Sequence, residues 1–227
     1  MSEPVPPAVP AATVVLVRDA PAPATGIEVL MLHRTSKGAF GGMWVFPGGR
    51  VDDEDRRPDD EGDEPAARRA AAREAAEECG LSVDADEIVL FSRWTPPPVA
   101  PRRFATWFFL ARVPTGDVVV DGGEIVDHRW LSPSAVLEQR DLGEVELAPP
   151  TWMTLNALLA ARDVDDALAQ AAARRPIVHY ETRWCTIDGG AVAMWEGDAG
   201  YATSDADVEG SRHRLWMVDT GWRFEQS

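Results

Sequence analysis

Residues 65–81 read Pro-Ala-Ala-Arg-Arg-Ala-Ala-Ala-Arg-Glu-Ala-Ala-Glu-Glu-Cys-Gly-Leu, and shortly before them residues 43–49 read Met-Trp-Val-Phe-Pro-Gly-Gly. The first stretch predicts a helix over 65–80. Alanine and arginine favour the helix interior, Pro65 suits the first turn, and Gly80 can adopt the left-handed stop. Residues three and four apart share a helix face, so Glu74, Glu77 and Glu78 are expected to project together. Ala72, Ala76 and Cys79 are expected on the other side, small enough to let the helix lie close to a sheet. Crowded carboxylates repel one another, and hard oxygen-seeking cations such as Mg²⁺ or Mn²⁺ relieve that repulsion. Taken alone, an acidic patch on an alanine-rich helix reads as a soluble surface. The apolar, glycine-ended element at 43–49 is what sets this patch apart.

Outward from that core the pattern alternates. Ala11–Arg18, with its run Thr-Val-Val-Leu-Val, and Ile27–Arg34 read as two strands joined across the turn residues of 21–26. Strands are expected again at 87–94, 105–113 and 124–131. A short helix begins at Ser132 or Ser134, a longer one covers 150–162, and an alanine-rich one falls in 163–175. Beyond Pro176 the pieces are short and β-like, punctuated by Trp184, Trp195, Trp216 and Trp222. So many tryptophans are costly to leave in water, which favours a packed extension over a lid or a dimer contact. His179 and His213 read as ordinary surface or packing residues and not as metal ligands. The expected organisation is a loose tail over 1–10, an α/β layered domain over 11–162, and a helical and β extension over 163–227.

Composition narrows the function. The 227 residues carry 22 Lys+Arg and 38 Asp+Glu, a formal charge of −16. No basic stripe remains for a nucleic acid polymer, and a polyanionic substrate would need cations to mediate its approach. Two cysteines, Cys79 and Cys185, are too few for a disulfide framework. The apolar runs are too short to span a bilayer and the N-terminus lacks a basic leader, so the expected compartment is the cytoplasm.

With these residues in view, Trp44–Gly49 and Arg73–Leu81 resemble the signature of the Nudix hydrolase family, G-x5-E-x7-REUxEExGU, in which U is a bulky aliphatic residue. The match runs through Gly49, a candidate Glu64, Arg73, Glu74, Glu77, Glu78, Gly80 and Leu81. The interval from Gly49 to Arg73 is ten positions longer than the signature, Glu64 lies one residue out of register, and Ala75 stands in place of the aliphatic. The resemblance implies an α/β/α sandwich with a mixed sheet and hydrolysis of a diphosphate bond assisted by Mg²⁺ or Mn²⁺. It implies Glu74 and Glu78 as main metal ligands, Glu77 as a further or water-mediated one, and the Gly49 carbonyl as another oxygen donor. Arg73 would hold the carboxylates in place. Glu124, six residues before Trp130, resembles the metal-binding or base glutamate of MutT-like members, and reads equally as a turn residue.

The segment Leu30–Asp55 is similar in part to the coenzyme A pyrophosphatase branch. Arg34, Gly42 and Phe46–Gly49 fit, and Asp52 and Asp55 answer its trailing acids. The internal arginine of that branch is absent near Gly38 or Ala39. Arg34, Arg102 and Arg103 are candidate substrate-phosphate contacts, although Arg102 and Arg103 read equally as offsets to nearby acid. The expected partner is a small nucleoside diphosphate derivative, coenzyme A-like, nucleotide-sugar or dinucleotide, handled by a monomer or a homodimer. Two alternatives stand beside it: house-cleaning of oxidised nucleoside triphosphates, with Trp44, Trp94 or Trp107 stacking on the base, and a sensor that binds a nucleotide without cleaving it.

Overall fold

The computed structural model describes residues 7–37 and 40–227; most of the expected tail, and the positions Gly38 and Ala39, lie outside them. The chain divides into two compact units. The larger comprises 10–92 and 106–178, and the smaller comprises 93–105 and 179–227 together with the described residues 7–9. The expected border at 162/163 therefore shifts. The helix after it stays with the larger unit, because Val164 N donates to the Asp19 carboxylate at 2.8 Å and Val164, Ala167 and Ala171 are buried.

The strands that lie wholly or mainly in the larger unit are β1 (Val9–Asp19), β2 (Ile27–Arg34), β3 (Trp44–Val45), β4 (Gly48–Arg50), β5 (Val89–Thr95, of which 89–92 belong to it), β6 (Phe104–Arg112, from residue 106) and β7 (Ile125–Leu131). They run in the order β3-β2-β1-β6-β5, with β4 on β1 and β7 on β2. β1 starts at Val9, not Ala11, because Val9 N donates to the Arg103 carbonyl at 2.8 Å and Val51 N to the Pro10 carbonyl at 3.0 Å. The expected apolar piece at 43–49 splits into β3 and β4, since Pro47 has no N–H to continue a ladder.

Residues on both faces of β1 and β2 are buried, Ala11–Val17 and Val29–Leu32 in unbroken runs. A strand loses water on both sides only when each face of its sheet is covered. One face meets helix α1 (Glu64–Cys79). Ala67, Ala70, Ala71, Ala75 and Cys79 pack with Ala12, Val14, Leu16, Leu30, Leu32 and Phe109. Helices α2 (Pro133–Asp141), α3 (Pro149–Leu158) and α4 (Val164–Ala173) contribute no residue to that cluster, and α2 packs on β2 and α3. The result is the expected α/β/α layering. Ser132 caps α2 by accepting from Ala135 N at 3.2 Å.

The smaller unit carries β8 (His179–Glu181), parallel to Arg93–Thr95, and an antiparallel sheet in the order β12-β11-β10-β9. Its strands are β9 (Arg183–Ile187), β10 (Gly190–Met194), β11 (His213–Val218) and β12 (Gly221–Gln226). Trp94 stacks on Tyr180 with ring centroids 4.0 Å apart, and Trp195 meets both edge-on. A fully buried Arg214–Asp198 ion pair at 2.6 Å ties β11 to the loop after β10. His179 is exposed and bonds Thr95, and the half-buried His213 bonds the Glu196 carbonyl, within the surface or packing roles expected of them. Among the described residues no helix is long and apolar enough to cross a membrane, and both cysteines are free.

Candidate active site

Helix α1 carries the carboxylates, and its packing decides which of them are taken out of water. A residue advances 100° around a helix, so the alanine stripe through Ala67, Ala71 and Ala75 fixes every neighbour's angle. Glu78 falls between Glu74 and Ala75 in projection, whereas Glu77 falls about 160° from Ala75. Accordingly the Glu78 side chain is 6% exposed, Glu74 14% and Glu77 58%. The three glutamates lie within one arc of about 100° with Ala72, Ala76 and Cys79 opposite them, as expected, but burial does not follow that division. Ala76 is exposed, and Glu78 sits on the buried flank. Gly80, with φ of 72°, ends the helix, and Leu81 N reaches back to the Ala75 carbonyl at 3.3 Å.

Above α1 lies the turn Pro47–Gly49. The Pro47 carbonyl accepts from Val14 N at 3.0 Å and from the Thr13 hydroxyl at 2.5 Å, locking the turn to β1. Gly48 N then donates to Glu78 Oε2 at 2.9 Å. Both glycines are dictated by close approach. A Cβ on Gly48 would lie 2.5 Å from the Ala12 carbonyl oxygen and 2.7 Å from Thr13 Cα, and one on Gly49 would strike the Glu74 carboxylate.

Arg73 is the clamp. Its Nε and Nη2 donate to the buried Asp55 carboxylate at 3.2 and 3.0 Å, Nη2 also to the Arg50 carbonyl at 2.9 Å, and Nη1 to Glu74 at 2.9 Å and Glu77 at 3.0 Å. The Asp55 hydrogen bonds, against the opposing effect of burial, raise its already high pKa. Asp55 is 5% exposed and accepts Asp52 N at 2.9 Å. Sequence reasoning missed it as a partner of Arg73. Glu64 falls near the signature's spacing from Arg73, but Asp55 stands six positions after Gly49, the spacing the signature requires. The ten extra residues therefore fall between Asp55 and Arg73. Glu64, ten residues before Glu74 and so about 15 Å along the helix, pairs with Arg68 at 2.7 Å and stays out of the site.

Arg34, at the end of β2, reaches Glu78 Oε1 at 3.1 Å through Nη1 and Glu124 through Nη2. Glu124, 68% exposed, is set by Asp121, which accepts Glu124 N at 2.9 Å and Ile125 N at 2.8 Å. Thr35 N donates to the Glu124 carbonyl at 2.8 Å. Thus Glu74, Glu78, Glu124, Arg34 and Arg73 form one charged network beside Gly48–Gly49. Arg34, expected to face a substrate, is engaged with carboxylates. Arg102 and Arg103 belong to the smaller unit, where Arg103 donates to the Pro96 carbonyl at 3.2 Å. The three tryptophans weighed as base platforms are placed in packing. Trp44 is stacked on His33 and capped by Arg129, Trp94 joins the aromatic cluster, and Trp107 lies against the α1 core.

Burial raises the pKa of Glu74, and it pushes Glu78 up to about 7 despite the Gly48 N–H and Arg34. Both side chains therefore gain from a cation close by. Among the described residues no three acidic, histidine or cysteine side chains already converge on a metal-sized point. Arg34 and Arg73 stand among the carboxylates instead. The donor set, all carboxylate oxygen with glycine backbone adjacent, fits a hard divalent cation and not a soft one.

The NUDIX domain family model matches residues 7–150. The chain belongs to the Nudix family. A curated Caenorhabditis elegans protein, "Putative nudix hydrolase 7", is 27% identical to this Nudix chain over 189 residues. That match takes in 66% of the chain and 62% of the relative, so the chain spans less than two thirds of the relative's length. The crystal structure of a NUDIX hydrolase from Alicyclobacillus acidocaldarius superposes with a TM-score of 0.64 at 25% identity, covering 72% of this chain and 96% of its own. The NUDIX domain of Shewanella oneidensis NrtR, solved with ADP ribose, shares the fold with a TM-score of 0.50 at 18% identity, over 66% and 86% of the two chains.

Proposed function

We propose that this Nudix protein hydrolyses a diphosphate bond in a nucleoside diphosphate joined to a second moiety, with Mg²⁺ or Mn²⁺ bound by Glu74, Glu78 and Glu124. Glu77 and the Gly49 carbonyl complete the donor set. The observation that carries the reading is the pair of desolvated carboxylates, Glu74 and Glu78, held beside the Gly48–Gly49 turn by Arg73 and a backbone N–H. A bound divalent cation supplies charge neutralisation for the diphosphate and lowers the pKa of attacking water.

The chain's own residues account for the rest. Arg73, anchored on Asp55, keeps the Glu74 carboxylate from swinging into solvent. Gly48 N fixes one oxygen of Glu78 and so orients the other. One of the helix glutamates, Glu74 or Glu78, takes the proton from water, a role typically worth about 10²–10⁴-fold in rate. In-line attack at one phosphorus then releases the other phosphate with its attached group. The compound bound by the Shewanella domain, ADP ribose, is a nucleoside diphosphate linked to a sugar. The partial likeness of residues 30–55 to the coenzyme A pyrophosphatases places coenzyme A in the same test. All three helix glutamates are present, which favours turnover over silent binding.

The test is release of phosphate-containing products from ADP ribose, coenzyme A, dinucleoside polyphosphates and an oxidised nucleoside triphosphate, with Mg²⁺ or Mn²⁺. Turnover of one of the linked diphosphates that collapses in Glu78→Gln, with unchanged circular dichroism, is the expected result. Binding without product would overturn the assignment, as would turnover confined to the triphosphate.

A further inference from the structure

The two arginines of the site differ in how completely they are held. Arg73 places all three guanidinium nitrogens on partners, among them a buried carboxylate and a backbone carbonyl that take no part in holding a cation. Among the described residues Arg34 is held only through Nη1 and Nη2, both on carboxylates assigned to the cation, Glu78 and Glu124. Its buried Nε has no hydrogen-bond partner among the described residues. A buried donor left unmatched is a standing cost, and it is relieved when the side chain moves. The Arg34 guanidinium, 17% exposed, also joins two carboxylates from different elements, α1 and the turn before β7. A shared cation would bridge the same two groups.

From this we infer that Arg34 is an exchangeable internal counter-ion: it holds Glu78 and Glu124 together in the cation-free protein, and a divalent ion must displace it to bind. Arg73 stays in place throughout. Arg34 is thus a positioning residue that sets metal affinity. The inference rests on the reading of Glu78 and Glu124 as cation ligands but not on any particular substrate.

Two measurements decide it, both on the full chain. First, Mn²⁺ affinity is measured by calorimetry or by loss of the free-ion electron paramagnetic resonance signal. Arg34→Gln removes the competitor, so Mn²⁺ should bind about tenfold tighter, the scale of one charge-assisted hydrogen bond. Arg34→Lys keeps the charge and should remain near wild type. Unchanged or weaker binding in Arg34→Gln would show that Arg34 only supports the carboxylates, and would overturn the inference. Second, in the wild-type protein, the ¹⁵N Nε resonance of Arg34 should move on Mg²⁺ addition while that of Arg73 holds still. This arm decides the matter even if Arg34→Gln does not fold, and a static Arg34 signal at saturating Mg²⁺ defeats the idea. Absence of Mn²⁺ binding at millimolar concentration overturns both this inference and the proposed function. Tight, Arg34-sensitive binding with no product from any substrate removes only the latter.

Discussion

Adding one methyl group at Gly49 separates the chemistry of this site from its stability. The new Cβ would come closest to Glu74 Oε1 and stand 2.5 Å from Cδ and 2.7 Å from Oε2, where ordinary contact begins at 3.4 Å. The carboxylate must therefore retreat by roughly 1 Å, because Oε1 lies inside that limit by more than the 0.9 Å (3.4 − 2.5) of Cδ. It is the far end of a side chain and can move, so the fold is expected to absorb the change at under about 1 kcal/mol. A displacement near 1 Å in a catalytic arrangement costs on the order of 10²-fold in rate, or about 2.7 kcal/mol of barrier. Gly48→Ala is the control, because its Cβ meets backbone and Cβ atoms of Ala12 and Thr13 that cannot step aside. Parting β4 from β1 should cost roughly 3 kcal/mol, or about 6–12 °C in Tm for a chain of this size. Thermal unfolding paired with Mn²⁺ titration and turnover reads both. Gly49→Ala that binds Mn²⁺ and turns over like wild type, or that unfolds as early as Gly48→Ala, would refute the steric account.

Folding lifts the Glu78 carboxyl from 4.5 to about 7, so the neutral form is favoured and its contribution to stability is full below pH 4.5 and lost as pH rises through 7. Chelator-treated protein should lose up to about 3 kcal/mol across that window, and Mn²⁺ should raise Tm more at pH 8 than at pH 5.5; equal Mn²⁺ shifts at the two pH values would contradict this. Asp55→Asn should loosen Arg73 and weaken Mn²⁺ binding severalfold, whereas Glu64→Ala should lose only an exposed pair worth about 0.3–0.5 kcal/mol; the reverse ranking in a calorimetric titration would restore Glu64 to the site. In the smaller unit, Asp198→Asn leaves Arg214 buried and uncompensated, at a cost of about 3–5 kcal/mol, readable as faster hydrogen exchange in β10 and β11 with Mn²⁺ affinity preserved. The Arg214 and backbone hydrogen bonds outweigh burial and hold Asp198 below the usual carboxylate range. The pair's contribution is therefore present above the ordinary aspartate pKa and falls away only in stronger acid.

Most of the larger unit is legible in the sequence because period and punctuation agree there. Alanine spacing, Pro65 and Gly80 place α1 to within a residue, and the β-branched runs place β1 and β2. What escaped is set by events distant in the chain. Glu78 is buried, and Glu77 not, because the alanine stripe turns toward the sheet, a rotation the acidic triplet does not encode. Asp55 was hidden by its own setting, one acid among many in a charged loop. Counting forward from Gly49 would have found it. Arg34 matched a phosphate-binding pattern by position, and only its placement beside Glu78 and Glu124 shows what it touches. The two-unit division could not be read locally, since Arg93–Ala105 joins β8–β12 across the 73 residues of Thr106–Val178.

The long acidic insertion leaves the site at Asp55 and rejoins the protein at Glu64, and Arg69 fastens it by donating to the Asp55 carbonyl at 2.7 Å and by pairing with Asp60. Arg56, Arg57, Pro58 and Asp59 between those anchors are exposed. That arrangement offers a splice point: a reporter peptide or fluorophore carrier introduced at Pro58–Asp59 would ride outside the anchors, close enough to sense ion uptake optically without sharing any atom with the reaction.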